Sequence, residues 1–321
     1  MTSGDWPSVA VVIPNHSRIA ELEEALASVE AQDYPGRVHT YLVYWPRPEI
    51  EPLLASLGDG VTAIASVNEA GRNSLATKRN LAIDASSEDL IAFLDDDDLW
   101  HPSKLILQVS EVRSNGDLVA VGAEVVNFSD TPEWRGLERG VTSIGWYQRH
   151  LGHSLCTSSL LMSGPVLRDL RMDERPHWLG VSDYHLKLRL GTRGQLARLR
   201  AEVVGYRVGH NAMFASDVRH NFALALSVLA AVGEAGVSPV ARRLVAVHVG
   251  WTAIWSQIGL GEVSQRAIDR LRESLDGRLF GFLDRLLWRA IVWWWRLTVT
   301  WTGPRRFFGR IKRALAERSG H

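Results

Sequence analysis

Between Phe93-Leu94 and Leu99-Trp100 the chain carries four consecutive aspartates, Asp95, Asp96, Asp97 and Asp98, followed by His101-Pro102. Like charges set side by side repel, and apolar neighbours keep them from spreading into an open loop. Protons can resolve the conflict, taken up as repulsion drives the pKa values upward, or a divalent cation can. Hard oxygen ligands with room for water and phosphate suit Mg²⁺ or Mn²⁺. On an extended segment Asp95 and Asp97 point to one side, Asp96 and Asp98 to the other. One pair can then face a metal while its neighbours bond a ribose or start the helix expected over 101–113, where Asp98 suits a cap. An acidic loop with a helix cap is the competing reading.

Such a cluster needs a scaffold that holds it at a cleft. The apolar run Val9 to Ile13, ending at Pro14-Asn15, has the pattern of a buried parallel strand. A helix over 18–31, strands over 39–45 and 61–66, a helix over 73–85 and a strand over 89–94 follow. This alternation implies a parallel sheet with right-handed crossovers. The aspartates then fall at the carboxyl end of a strand, where open α/β sheets place their ligands. Pro102 opens the next helix, and 117–128 is a further strand. The stretch 130–155 has no clear period and is a candidate active-site loop, with Trp134, Trp146 and Tyr147 as stacking surfaces or as pins to the core. A helix through VSDYHLKLRLGTRG and a strand through QLARLRAEVVGYRV complete a first domain over 1–215. The remainder, 216–321, reads as a helical C-terminal region.

Composition narrows the class. The chain has 321 residues, 46% hydrophobic and 22% charged, enough for a sizeable core. Lys+Arg and Asp+Glu balance at 36 each, so the basic excess of a nucleic-acid binder is missing and no nucleic-acid partner is expected. A single cysteine, Cys156, excludes an internal disulfide framework and any multi-cysteine zinc site. The start MTSGDWPSVAVVIPNHS lacks a basic segment, so no signal peptide is expected. No stretch of about 20 uncharged apolar residues is present to span a bilayer. A cytoplasmic protein is the expectation.

VAVVIPNHS (9–17), GRNSLATKRNLAIDAS (71–86) and FLDDDDLWHPSKL (93–105) together resemble the family 2 glycosyltransferases. Those enzymes begin with VSVVIPxYN, carry G-x-x-x-A-R-N-x-A before the metal-binding strand, and have FLDxDDxxxPxKL at it. CTSSLLMS (156–163) matches their small-residue acceptor segment, and RMDERPHWLGVSDYHLKLRL (171–190) matches F-D-E followed by E-D-x-x-L-x-x-R-L. The resemblance implies an α/β GT-A fold, a Rossmann-like and mainly parallel sheet flanked by helices, with the C-terminal helical extension beyond it. It implies transfer of a sugar from a nucleoside diphosphate to an acceptor hydroxyl, with inversion at the anomeric carbon.

In that reading Asp97, with Asp95 near it, holds the metal, and His210 is a candidate third ligand. Asp95 or Asp96 contacts metal or ribose. Pro14, Asn15, Arg79 and Arg207 line the donor; Arg79, favoured over its neighbour Lys78, gives its hydrogen bonds to the phosphates or to the acidic cluster. Trp178 and Ser182 border the acceptor, and Asp183 is the base that removes its proton. Two departures from the family pattern stand out. The second strand ends in VYWPRP (43–48), without the usual acidic pair, leaving Trp45 to stack on a base or to join the core. Ser182 replaces the first acid of the E-D pair.

The tail 285–318 holds nine Arg or Lys against one acid, Glu317, with Trp and Phe between them. Such a segment suits the headgroup layer of an anionic membrane; packing on the catalytic domain or a dimer contact are the alternatives. It points to a peripheral protein of the inner membrane face with a lipid-linked or cell-envelope acceptor. A non-catalytic fold of the same shape, holding nucleotide or scaffolding partners, is the alternative function.

Overall fold

In the computed structural model the described residues are 6–67, 74–145, 155–175, 182–208 and Ser238. The chain opens with β1 (Val9–Pro14), every residue of which is buried. Its side chains alternate between two apolar clusters: Val9, Val11 and Ile13 join one, Ala10 and Val12 the other. A strand covered on both faces has no polar side to show, hence the unbroken apolar run.

Helix α1 (Ile19–Glu30) buries Leu22, Ala25 and Val29, spaced three and four residues apart, and leads to β2 (Val38–Tyr44). A single 3₁₀ turn (Pro48–Ile50) and α2 (Glu51–Ser56) carry the chain to β3 (Val61–Ala65), and α3 (Ser74–Ala85) to β4 (Leu90–Phe93). The neighbouring pairs β3-β2, β2-β1 and β1-β4 are all parallel. The chain moves outward from β1 through β2 and β3, then returns to the other side of β1 for β4. The carboxyl ends of β1 and β4 therefore border the crevice where strand order reverses, the usual ligand position in such sheets.

Beyond β4 the sheet is mixed. The following elements are β5 (Leu99–Trp100), α4 (Lys104–Ser114), β6 (Leu118–Phe128), β7 (Val141–Ser143), a 3₁₀ turn (Thr157–Ser159), β8 (Leu161–Ser163), α5 (Gly164–Leu170), α6 (Ser182–Leu190) and β9 (Gln195–Arg207). The order is β3-β2-β1-β4-β8-β6-β9-β5, with β7 also on β9. β8 runs antiparallel to both β4 and β6, while β6 and β9 are parallel.

Three differences from the sequence expectations have physical causes. The helix expected from 101 begins at Lys104, with Ser103 as its boundary residue. Leu99 and Trp100 are drawn instead into pairing with Gly205 and Val204 of β9. β8 has three residues, too few to show a period, and α5 has seven. The aperiodic stretch 130–155 contributes β7 to the sheet edge, and Trp134 lies edge-on to His101 with ring centroids 5.2 Å apart, pinning this segment to the domain. Trp146 and Tyr147 lie outside the described residues, as does 216–321 apart from Ser238, and with it the basic tail. Among the described residues no helix is long and apolar enough to cross a membrane.

Gly164 shows how tightly β8 and α5 dock. A Cβ there would stand 2.9 Å from the Asp89 carbonyl oxygen and closer still to that of Glu88. Backbone on both sides cannot swing away as a side chain can. Gly164→Ala is expected to lower unfolding free energy by about 1–3 kcal/mol, read from the urea midpoint at unchanged slope.

Candidate active site

The run 95–98 leaves β4 through a tight turn, with Asp98 N donating to Asp95 O at 3.2 Å. Exposure alternates as the sequence spacing suggests: Asp96 and Asp98 are buried, Asp95 and Asp97 partly open. The turn nevertheless sends the two buried carboxylates to different neighbours. Asp96 accepts from Asn15 Nδ2 (2.8 Å) and His16 N (3.0 Å) at the end of β1. Asp98 accepts from Ser158 Oγ (2.5 Å) and from Arg207 N (3.1 Å) at the end of β9. The cap role weighed for Asp98 is thus corrected. It lies six positions before the helix and joins three segments of the sheet's carboxyl edge.

Burial pushes Asp96 up to about 6 and Asp98 up to about 8, with the charge of neighbouring carboxylates adding to both. Asp97 is also raised, by burial and by Asp95, against the pull of Arg18. The run thus retains part of the electrostatic conflict apparent from the sequence, and additional positive charge there would be stabilising.

Two arginines supply some of it. Arg79, from the middle of α3, donates to Asp95 Oδ1 at 2.5 Å. Its Nε is buried without a hydrogen-bond partner among the described residues. Arg18 donates to Asp97 and lies 3.7 Å from Asp96. α3 buries three consecutive polar residues, which its sequence could not explain by amphipathicity. Lys78 Nζ reaches the Asn15 carbonyl (2.5 Å), Arg79 reaches Asp95, and Asn80 bonds Met172 O (2.8 Å) and Glu174 (2.8 Å). Each leaves the helix toward a different wall of the crevice.

After β2, Trp45 is half-buried at the rim and not in the core, with His16 edge-on at 6.1 Å and Lys78 Nζ 5.9 Å from its ring. Arg47 stands near the position of the missing acidic pair and donates to Asn15 Oδ1 (2.8 Å) and the His16 carbonyl (2.6 Å). Pro14 ends β1 opposite Val43, and Asn15 N continues the ladder to Val43 O. Arg207 braces the run by donating from Nε to the Asp97 carbonyl at 2.9 Å and pairing with Glu24.

Asp183 lies in the first turn of α6 and accepts from Thr157 Oγ1 (3.0 Å) and Lys187 Nζ (2.9 Å). Burial opposes its ionisation, but Lys187, Arg79 and Thr157 outweigh that and hold it down to about 2. Its side chain remains 32% exposed, so one side is open to a reactant. Ser182 is buried beside it. His210 and Trp178 lie outside the described residues.

One turn connects the two carboxylate centres. Thr157 bonds Asp183, and the next residue, Ser158, bonds Asp98 and receives Asp95 N at 3.1 Å. The turn is fixed from behind by Trp100 Nε1 to Ser158 O and by Gln108 Nε2 to Ser159 O, both 2.8 Å. Gln108 in turn accepts from the buried Lys104, which lies 3.8 Å over the Trp100 ring. Thr157 and Ser158 lie in the segment 156–163 singled out from the sequence, which did not show their partners, while Arg18, Arg47 and Lys187 carried no signal. Of the two cations the sequence offered the acidic cluster, Lys78 and Arg79, Arg79 is the one that pairs with Asp95.

Among the described residues no three His, Cys, Asp or Glu side chains converge as a metal cage. Asp95 and Asp97 do present hard oxygens at the rim, 33% and 25% exposed. One or two carboxylates, completed by water and substrate phosphates, are the usual Mg²⁺ donor set, so the residues fit such an ion.

The depressed pKa of Asp183 has a measurable consequence. Lys187→Met removes the nearest cation while Arg79 and Thr157 remain. The Asp183 pKa, read by carboxyl ¹³C NMR, is expected to move up by about one unit or more. In the parent, a carboxylate held below its unfolded value stabilises the fold above about pH 4 and loses that contribution as pH falls toward 2. The variant should therefore also unfold at higher pH in acid titration; an unmoved Asp183 resonance midpoint would show that Lys187 is not what keeps Asp183 ionised.

The fold is that of GT-A glycosyltransferases. The chain superposes on S. aureus TarS 1-349 in complex with UDP-GlcNAc with a TM-score of 0.64 and 11% identity, covering 85% of this chain and 82% of that one. It is also similar to the mannosyltransferase PcManGT from Pyrobaculum calidifontis in complex with GDP-Man and Mn²⁺, with a TM-score of 0.56, 14% identity, and 89% and 84% of the two chains covered. No curated protein matches the sequence. Residues 10–218 match glycosyl transferase family 2, well over half of the chain, and the chain belongs to that family.

Proposed function

We propose that the protein is a divalent-metal-dependent, inverting glycosyltransferase that moves a sugar from a nucleoside diphosphate to an acceptor hydroxyl. The observation that carries this reading is the turn 157–159, which ties Asp183 to the aspartate run through adjacent side chains. A base and a diphosphate site held on one rigid turn keep an acceptor and a donor in fixed register.

Asp97 and Asp95 hold the metal, with His210 as a further ligand, and Asp96 fixes the β1 end that borders the ribose. The bound Mg²⁺ or Mn²⁺ supplies Lewis-acid stabilisation of the departing diphosphate. Pro14 and Asn15 line the nucleotide, and Arg207 keeps the run in place beneath the diphosphate. The free Nε of Arg79 points to a donor oxygen as its partner, since a buried unpaired donor is costly. Asp183 takes the acceptor proton as its oxygen attacks from the face opposite the leaving group, with Ser182 and Trp178 beside the acceptor. No covalent nucleophile is required. Metal use is supported by the Mn²⁺ in the mannosyltransferase structure, and donor type by UDP-GlcNAc and GDP-Man in the two relatives.

In this reading residues 1–215 form the catalytic domain and 216–321 a helical region whose tail, 285–318, rests on the anionic inner face of the cell membrane. The acceptor is then lipid-linked or part of a cell-envelope glycan. Calorimetry with UDP-, GDP- and TDP-sugars, with and without Mn²⁺ or Mg²⁺, tests the enzyme: at least one donor should bind more tightly with metal and be slowly hydrolysed. Equal binding of every donor with and without metal removes the proposal. Truncation before Arg285 is expected to abolish flotation with anionic liposomes, and unchanged flotation would rule out the tail as the anchor.

A further inference from the structure

The two rim carboxylates are matched with arginines of different kinds. Arg79 is part of the core, its side chain 2% exposed. Arg18 belongs to the crevice. It immediately precedes α1, and its carbonyl is fixed by Asn15 Nδ2 at 3.0 Å. Its side chain is 35% exposed and ends on Asp97 Oδ2, with Asp96 Oδ1 at 3.7 Å. The guanidinium thus sits on the carboxylate assigned above to the metal. A partly solvated pair of this type is worth about 0–1 kcal/mol, so the side chain is held there but readily moved.

We propose that Arg18 is the internal counter-ion of Asp97, which a divalent cation must displace, and which then turns to the anionic diphosphate. This rests on the reading of Asp97 as a metal ligand. Its physical basis is repulsion: a guanidinium seated on one oxygen of Asp97, with Asp96 3.7 Å away, opposes the approach of a dication to that carboxylate through either oxygen. The displaced arginine remains tethered at the start of α1, and a nucleoside diphosphate offers it a replacement anion. Metal alone then binds against the Arg18–Asp97 pair, while metal and nucleotide together leave no group unpaired. Coupling of this kind is reciprocal, so nucleotide strengthens metal binding and metal strengthens nucleotide binding.

Mn²⁺ binding to the full chain, read from the loss of the free-ion EPR signal, tests this without turnover. In the absence of nucleotide, Arg18→Ala and Arg18→Gln are expected to bind Mn²⁺ about fivefold more tightly than the parent. Arg18→Lys, which keeps the charge, should stay near the parent. Adding UDP or GDP should tighten Mn²⁺ in the parent by a larger factor than in Arg18→Ala. Arg193→Ala removes an exposed cation paired with Asp169, outside the site, and should change Mn²⁺ affinity less than about twofold. Equal affinity in parent and Arg18→Ala overturns the proposal, as does an equal gain in Arg193→Ala, which would reduce the effect to general charge. Binding that survives Asp97→Ala in the Arg18→Ala background places the ion elsewhere and also overturns it. If no variant binds Mn²⁺ with or without nucleotide, the metal reading falls and this inference with it.

Discussion

Asp183→Asn is expected to lower sugar transfer by about 10²–10⁴-fold while leaving nucleotide-sugar affinity within about twofold. The substitution keeps the shape of the side chain and an oxygen that can accept from Thr157. It removes the charge that Lys187 and Arg79 hold in place. With its pKa at about 2 the carboxylate is ionised throughout the working range, so the loss should not be recovered at higher pH. In the proposed site the nucleotide is held by other residues, those after β1 and β4, so donor binding has no reason to change. Calorimetry with the donor and a transfer assay separate the two quantities. Transfer within tenfold of the parent would remove Asp183 as base, and lost donor binding would place it on the wrong side of the crevice.

Asp97→Ala is expected to weaken donor binding in the presence of Mn²⁺ by about 100-fold, with little change in its absence. Asp97 is a cleaner test than Asp95. Removing Asp95 would leave the Arg79 guanidinium, 2% exposed, without its carboxylate, and a buried unpaired charge unfolds proteins for reasons unrelated to donor binding. Arg18, by contrast, is partly solvated and tolerates the loss of Asp97. Paired titrations of parent and variant with UDP or GDP, with and without Mn²⁺, give the answer. A variant that retains the full metal-dependent gain would show that Asp97 does not hold the ion.

Much of the sheet was legible from residue pattern alone. Val9 to Ile13 and Leu90 to Phe93 are buried on both faces, so their apolar runs announced strands at the centre of a sheet. The aspartates follow the second of these, which by itself places them at a carboxyl edge. Asp183 is marked by the resemblance of its segment to E-D-x-x-L-x-x-R-L and not by periodicity, since α6 buries Ser182, Tyr184, His185, Leu186, Leu188 and Leu190 on more than one face. These features are local: apolar runs and motifs are written into neighbouring residues.

Partnership across the chain is not local, and only the tertiary structure decided it. Asp98 was open to reading as a helix cap because its sequence neighbours allow one; its partners are Ser158 and Arg207, 60 and 109 positions away. They meet because β8 inserts between β4 and β6, and β9 brings its end back beside β5. The sequence alone determined that four carboxylates would stand at a strand end and need positive charge. Which arginine faces which aspartate, and that one turn joins Asp183 to the aspartate run, depends on strand order and register. Those are set by the packing of the whole sheet, to which no single segment holds the key.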